Sequence, residues 1–182
     1  MREDVIENLN QIKLFSVKNA QVPLLPTVLY HASLYSGLKR LDPEKGQGFG
    51  IWMQGKIKEA AHFALSRSTN PMTGQRYDGV SPTVYEMDAQ FKKLAIFPDE
   101  VSLYSFSVHQ NNQNLNLSYQ HMRQLLVAEG FDGIFLMKEQ TVSAIVPDAI
   151  SIKIEHDAIP LYTDLVKPEL VSRFGRDPFL AP

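Results

Sequence analysis

The stretch "GFGIWMQGKIKEAAHFALSR", Gly48 to Arg67, decides how the chain is read. Gly48 and Gly50 flank Phe49, and a short apolar run, Ile51, Trp52 and Met53, follows. Then Ile57, Ala60, Ala61, Ala64 and Leu65 recur at i, i+3, i+4 spacing. Apolar residues at that period line one helical face, so the spacing predicts a strand over "GFGIWM" and a helix over 55–68. Just upstream, "TVLYHAS" (27–33) reads as a strand carrying His31, with the small residues Ala32 and Ser33 after it. Glycines beside a short strand serve either a close approach of ligand to backbone or a tight bend. The sequence leaves both uses open.

Working outward, residues 4–18 place Val5, Ile6, Leu9, Ile12 and Leu14 on roughly one face, which predicts a short amphipathic helix. "TNPMTGQRYDGVSP" is a turn-rich loop, and "TVYEMDAQ" alternates as a strand. "KKLAIFPDEVSLYSFSV" holds a strand-like core and a proline break. "NNQNLNLSYQHMRQLLVAEG" passes from a polar loop into a helix, with Ser118 as N-cap and Gly130 as its stop. "FDGIFLM" and "VSAIVPDAISIKIEH" read as strands, with Asp132 capping a turn. The segment from Asp157 onward is punctuated by prolines and reads as a tail wrapping the surface. Many strands with three helices predict an α+β domain over 27–156, between an N-terminal helical extension (1–26) and a C-terminal tail (157–182).

The totals exclude several classes. With 182 residues and 44% hydrophobic content the chain can bury a sizeable core. A net charge of −2 gives no electrostatic case for nucleic acid, which requires a basic face. The absence of cysteine excludes disulfides, thiolate metal sites and a cysteine nucleophile, and suits a reducing cytosol. No window approaches the ~18 apolar residues of a membrane span. The five histidines, His31, His62, His109, His121 and His156, form no i, i+4 pair, so a compact metal motif is not expected. Gly48-Phe49-Gly50 lacks the third glycine of a dinucleotide fingerprint.

Two residues invite a choice. His31 is either a histidine bonded to backbone or a donor and acceptor fixed at a cleft. Trp52, the sole tryptophan, is either core or an aromatic wall for a flat heterocycle.

In combination these pieces resemble the ADP-ribosyltransferase superfamily, nearest its diphtheria-toxin and poly(ADP-ribose) polymerase branch and similar to bacterial effector or phage members. "LYHAS" matches the histidine strand, and "GFGIWM" matches a Gly-x-Gly-Ile-Tyr-Phe strand with Trp52 at the tyrosine. "AAHFA" matches a Ser-Ala-x-Tyr helix, with Ala60 at the serine and Phe63 at the second tyrosine. "GFDGIFL" matches a late Gly-Tyr-Asp-Gly-Ile strand, and "TVSAIVPDAI" matches the last strand when anchored on Pro147 and Ile150. The resemblance implies a split two-sheet ADP-ribosyltransferase-like fold with flanking helices and an NAD site. It implies that His31, Ala32, Ser33, Gly50, Trp52, Ala60 and Phe63 bind NAD. The histidine holds a ribose hydroxyl, the backbone of Ala32 takes the nicotinamide amide, and the nicotinamide bond breaks through an oxocarbenium-like state.

The chain departs from the family where the catalytic glutamate belongs, because that position falls on Thr141. Glu139, two residues earlier, shares a face with Thr141 if both lie on the strand. As a plain surface residue it instead marks the tip of a hairpin in "MKEQT". The catalytic candidates are therefore His31, Glu139 and Thr141, with no metal. The resemblance implies NAD-dependent transfer of one ADP-ribose unit to an acceptor, a protein in the first instance, in the cytoplasm or by an exported effector in a target cytosol. A nucleotide-binding module of the same fold without chemistry is the alternative, and Thr141, Ala60 and Trp52 speak for it. NAD hydrolysis, removal of a 2′-phosphate from RNA and a nuclease using His31 and His109 complete the set. The RNA and nuclease readings lack a basic groove.

Overall fold

A computed structural model of the chain describes residues 25–45, 49–104, 119–177 and 179. The expected helix over 4–18, Ser118 and His109 lie outside the described residues. Among the described residues the protein is mixed α+β, with seven strands and several helices. The chain divides into two compact units.

The first unit comprises Met1–Thr27, Leu41–Trp52 and Ala89–Ser151. Its strands β4 (Leu94–Phe97), β5 (Gly133–Leu136) and β6 (Thr141–Ala144) lie side by side in that order. β4 and β5 run parallel, with Leu94 opposite Gly133 and Phe97 opposite Leu136. Parallel neighbours need a crossover. Between them in sequence come a helical stretch opening at residue 100 and helix α2 (Tyr119–Ala128), numbered after the helix of the second unit. Buried on both faces, β4 and β5 are continuous apolar runs, as expected for parallel strands covered on each side. The core gathers Phe49, Phe97, Leu103, Met122, Phe131 and Ile134, with Trp52 packed against it. Gly130, at φ 82°, follows the end of α2 and supplies the left-handed residue expected there.

β5 and β6 form an antiparallel hairpin in which Leu136 faces Thr141 and Gly133 faces Ala144. The turn 137–140 closes with Gln140 at φ 52°, its side-chain amide donating to the Met137 carbonyl at 2.6 Å. Asp132 differs from the expected turn cap: its carboxylate accepts from the backbone N–H groups of Lys92 and Lys93, so it ties the strand entry of β5 to that of β4.

The second unit comprises Val28–Arg40, Met53–Asp88 and Ile152–Pro182. β1 (Leu29–Ser33) pairs antiparallel with β3 (Thr83–Ala89), His31 facing Tyr85 and Ser33 facing Thr83. On its other side Tyr30 faces Gln54 of β2 (Ile51–Gln54), and β7 (Ile150–Asp157) follows β3 in the strand order. Helix α1 (Ile57–Ser68) packs on β1 and on α3 (Ala158–Leu165). It begins at Ile57, later than expected, because Lys56 has extended backbone and acts as N-cap. Ala60, Ala61 and Ala64 are buried in one apolar cluster with Val84 of β3 and Ala158 and Tyr162 of α3, and their small side chains let these elements approach. Tyr30, Ala32 and Val84 meet them. By strand alternation His31 and Ser33 therefore point to the other face, alongside Tyr85.

The segment from Asp157 differs from expectation: it carries two helices, α3 and α4 (Lys167–Phe174). Asp157 caps α3 by accepting from the Ile159 N–H at 2.9 Å. Pro160 and Pro168 both fall in first turns, where a missing N–H costs nothing. Phe179 then packs against His62 and Tyr162, with centroids 5.3 and 5.9 Å apart.

Candidate functional site

The residues singled out by the sequence fall into two sets. His31, Ala32, Ser33, Ala60 and Phe63 belong to the second unit, and Gly50, Trp52, Glu139 and Thr141 to the first.

In the second unit β1 presents His31 half-buried, on the face opposite α1. Its cross-strand neighbour Tyr85 is fully buried. The Tyr85 hydroxyl donates to the Tyr35 carbonyl at 3.0 Å and accepts from the Leu38 N–H at 3.1 Å. That pair of bonds folds the chain after β1 back over the strand. Burial, and secondarily the nearby Glu155 carboxylate, raises the Tyr85 pKa. Ala32 packs with Ala60 in one apolar cluster, so Ala60 serves helix-to-sheet packing. Phe63 is 46% exposed, with the Arg67 guanidinium 5.5 Å from its ring centre.

In the first unit Gly50 adopts φ 110°, and the place of its absent side chain is filled by the Ala144 carbonyl oxygen of β6. The Ser143 hydroxyl, fully buried, donates to the Phe49 carbonyl at 2.7 Å. Phe49 and Gly50 are thus fastened to β6, so a protein contact 94 positions away occupies the space next to the glycine. Trp52 is partly buried and rests on the cluster of Phe49, Phe131 and their neighbours.

Thr141 opens β6. Glu139 does not share that strand: it sits in the turn 137–140, and the left-handed Gln140 interrupts the alternation that would have put the two side chains on one face. The hairpin-tip reading of "MKEQT" therefore describes its backbone. The side chain is unusual for a hairpin tip, because Oε2 is buried and has no hydrogen-bond partner among the described residues.

Sequence reasoning passed over Ser143, whose hydroxyl was unremarkable in "VSAIV". It also passed over Glu155 and Asp157, although the alternation of "ISIKIEHD" places both on one face of β7. Among the described residues no group of three or more histidines or carboxylates could hold a metal ion. No helix among them is long and apolar enough to cross a membrane. Compared with known proteins, the chain matches no family model, no curated protein and no solved structure.

Proposed function

We propose that the protein is an NAD-using mono-ADP-ribosyltransferase of divergent, ADP-ribosyltransferase-like fold, acting on an acceptor group of a protein. The observation that carries this reading is the Glu139 carboxylate, with one oxygen enclosed and unpartnered at the mouth of the β5–β6 hairpin. Leaving a buried acceptor unmade costs about 1–3 kcal/mol, more when it is charged. Buried polar groups without a partner are rare in folded proteins and call for a specific explanation, a catalytic role among them. The resemblance places the catalytic carboxylate two residues further on, at Thr141, so the chain offers a carboxylate at the same strand entry by way of the turn.

The order of elements supports the same reading: His31 on β1, Trp52 on β2, α1 immediately after, and "GFDGIF" leading into β5. NAD supplies an activated ribosyl group with nicotinamide as the leaving group. Glu139 accepts from a ribose hydroxyl and opposes the positive charge that grows on the sugar as the nicotinamide departs.

A second reading, a nucleotide-binding module without chemistry, is favoured by two specific facts. Ala60 is wholly enclosed and offers no donor, and position 141 carries a neutral hydroxyl. Incubation with NAD labelled in the adenylate part and in nicotinamide separates the two. We expect nicotinamide release with label transferred to protein, and a loss of about 10²–10³ in rate for Glu139→Gln. Loss of less than tenfold for Glu139→Gln, with large loss for Thr141→Ala, overturns the assignment of Glu139. Calorimetric binding of NAD without turnover selects the second reading, and absence of both binding and turnover overturns the nucleotide reading altogether.

A further inference from the structure

A separate concavity lies wholly within the second unit, with a volume of about 290 Å³. Small-molecule sites run from about 300 to 1,000 Å³, so this one admits a single side chain or a fragment of that size and not a dinucleotide. Its apolar wall is Val80, Pro82 and Ile159, and its polar wall is Glu155 and Asp157 of β7, with Arg76 also lining it.

The two carboxylates are two residues apart on β7, hence on one face and roughly 6–7 Å apart along the strand. Both are held in place by backbone. Glu155 accepts from the Gly37 N–H through both oxygens, at 3.1 and 3.0 Å. Asp157 accepts from the Ile159 N–H through Oδ1 at 2.9 Å. A carboxylate offers about four lone-pair sites, so each keeps acceptor capacity after these bonds. Among the described residues neither carboxylate forms an ion pair, Arg76 included. The pocket thus joins an apolar wall to two pre-oriented anions, with an excess of one negative charge over its single guanidinium. Phosphates and other anions are disfavoured by that balance. A long aliphatic stem ending in a cation matches it, because such side chains lay their methylenes on apolar surface and keep the charge at polar groups. A guanidinium, with five donors in a planar fork, can reach two separate carboxylates at once.

We propose that this pocket recognises an arginine side chain presented by a partner polypeptide. The assignment is independent of the nucleotide reading, since it uses none of the residues invoked there. Arg76 then acts as a like-charged neighbour that weakens the interaction and sharpens its dependence on salt.

The test is amide chemical-shift mapping of the full chain titrated with N-acetyl-arginine methylamide, with the isosteric but neutral N-acetyl-citrulline methylamide as control. Saturable shifts at Gly37, Ser81 and Ile159 with the arginine compound and not the citrulline compound are expected. Glu155→Gln and Asp157→Asn each keep one side-chain oxygen able to accept from backbone and should each weaken binding about tenfold, the scale of one charge-assisted hydrogen bond. Arg76→Ala should tighten it. Equal shifts with both compounds, shifts confined to other parts of the chain, or weaker binding on Arg76→Ala overturns the proposal. Unchanged melting temperatures for the three variants exclude misfolding as the cause of any loss.

Discussion

The carbonyl oxygen of Ala144 lies far inside van der Waals contact of the point where the first side-chain carbon of any residue other than glycine at position 50 would have to be. Gly50 also holds φ at 110°, a backbone region that residues with a side chain seldom adopt. Two penalties therefore coincide, a backbone one of about 1–2 kcal/mol and an overpacking one of about 1–3 kcal/mol. Gly50→Ala should lower unfolding free energy by about 2–5 kcal/mol, read from the urea midpoint. A midpoint within experimental error of the parent sinks this account of the Gly-Phe-Gly stretch.

Asp132 predicts a second, smaller effect. Its carboxylate receives the N–H groups of both Lys92 and Lys93, and its own N–H donates to the Lys93 carbonyl at 3.0 Å. Asp132→Ala removes two charge-assisted bonds and leaves two donors at the start of β4 without that acceptor. The cost should be about 2–4 kcal/mol, with faster amide exchange at Lys92 and Lys93 as its local signature. Asp132→Asn, which keeps one acceptor oxygen, should lose less. Equal losses for the two variants would count against the bonding role.

Alkaline pH offers a third measurement. Tyr162 has no exposed surface, and its hydroxyl donates to Asp177 Oδ1 at 2.6 Å. Burial first, and then the bond to and charge of Asp177, raises its pKa above the ordinary value of about 10. Above about pH 10 the unfolded chain gives up this proton while the folded chain retains it. The contribution is therefore complete below that pH and declines as pH rises beyond it. Tyr85, raised mainly by its burial, acts in the same direction. Tyr162→Phe should thus reduce, without abolishing, the fall in stability above pH 10. An unchanged slope of unfolding free energy against pH between 10 and 12 would contradict the assignment.

The parts of this fold that were legible beforehand are those whose cause is local. The helix 57–68 follows from an apolar period, and the stop after α2 from Gly130. Contacts distant in sequence were not legible. Gly50 is explained by Ala144, and Ser143 by Phe49, and neither partner leaves a trace in the other's neighbourhood. The prolines at 160 and 168 punctuate the C-terminal segment, yet each sits in a helical first turn, so the same residue type that breaks a helix interior begins one here. Glu139 shows the limit at the candidate site. Its identity and spacing to Thr141 were visible, but a single left-handed residue, Gln140, moved it off the strand.

Arg123 gives the last prediction, because its two partners should differ sharply in worth. Only 4% of its surface is exposed, and Nη1 donates to the Ile145 carbonyl at 3.0 Å, just beyond β6. Nη2 lies 3.6 Å from Glu44, whose side chain is 68% exposed. An exposed carboxylate at that distance is screened by water, and such pairs contribute about 0–1 kcal/mol. The buried end is different: removing the guanidinium leaves the Ile145 carbonyl without this donor and a void against α2. Arg123→Met, close in volume, should cost about 1–3 kcal/mol, whereas Glu44→Gln should stay within about 1 kcal/mol of the parent. Half-molar salt should leave the Arg123→Met deficit in place, since the bond to a buried carbonyl is hardly screened. If Glu44→Gln proves as damaging as Arg123→Met, the ion pair to Glu44 and not the carbonyl bond is what makes Arg123 matter.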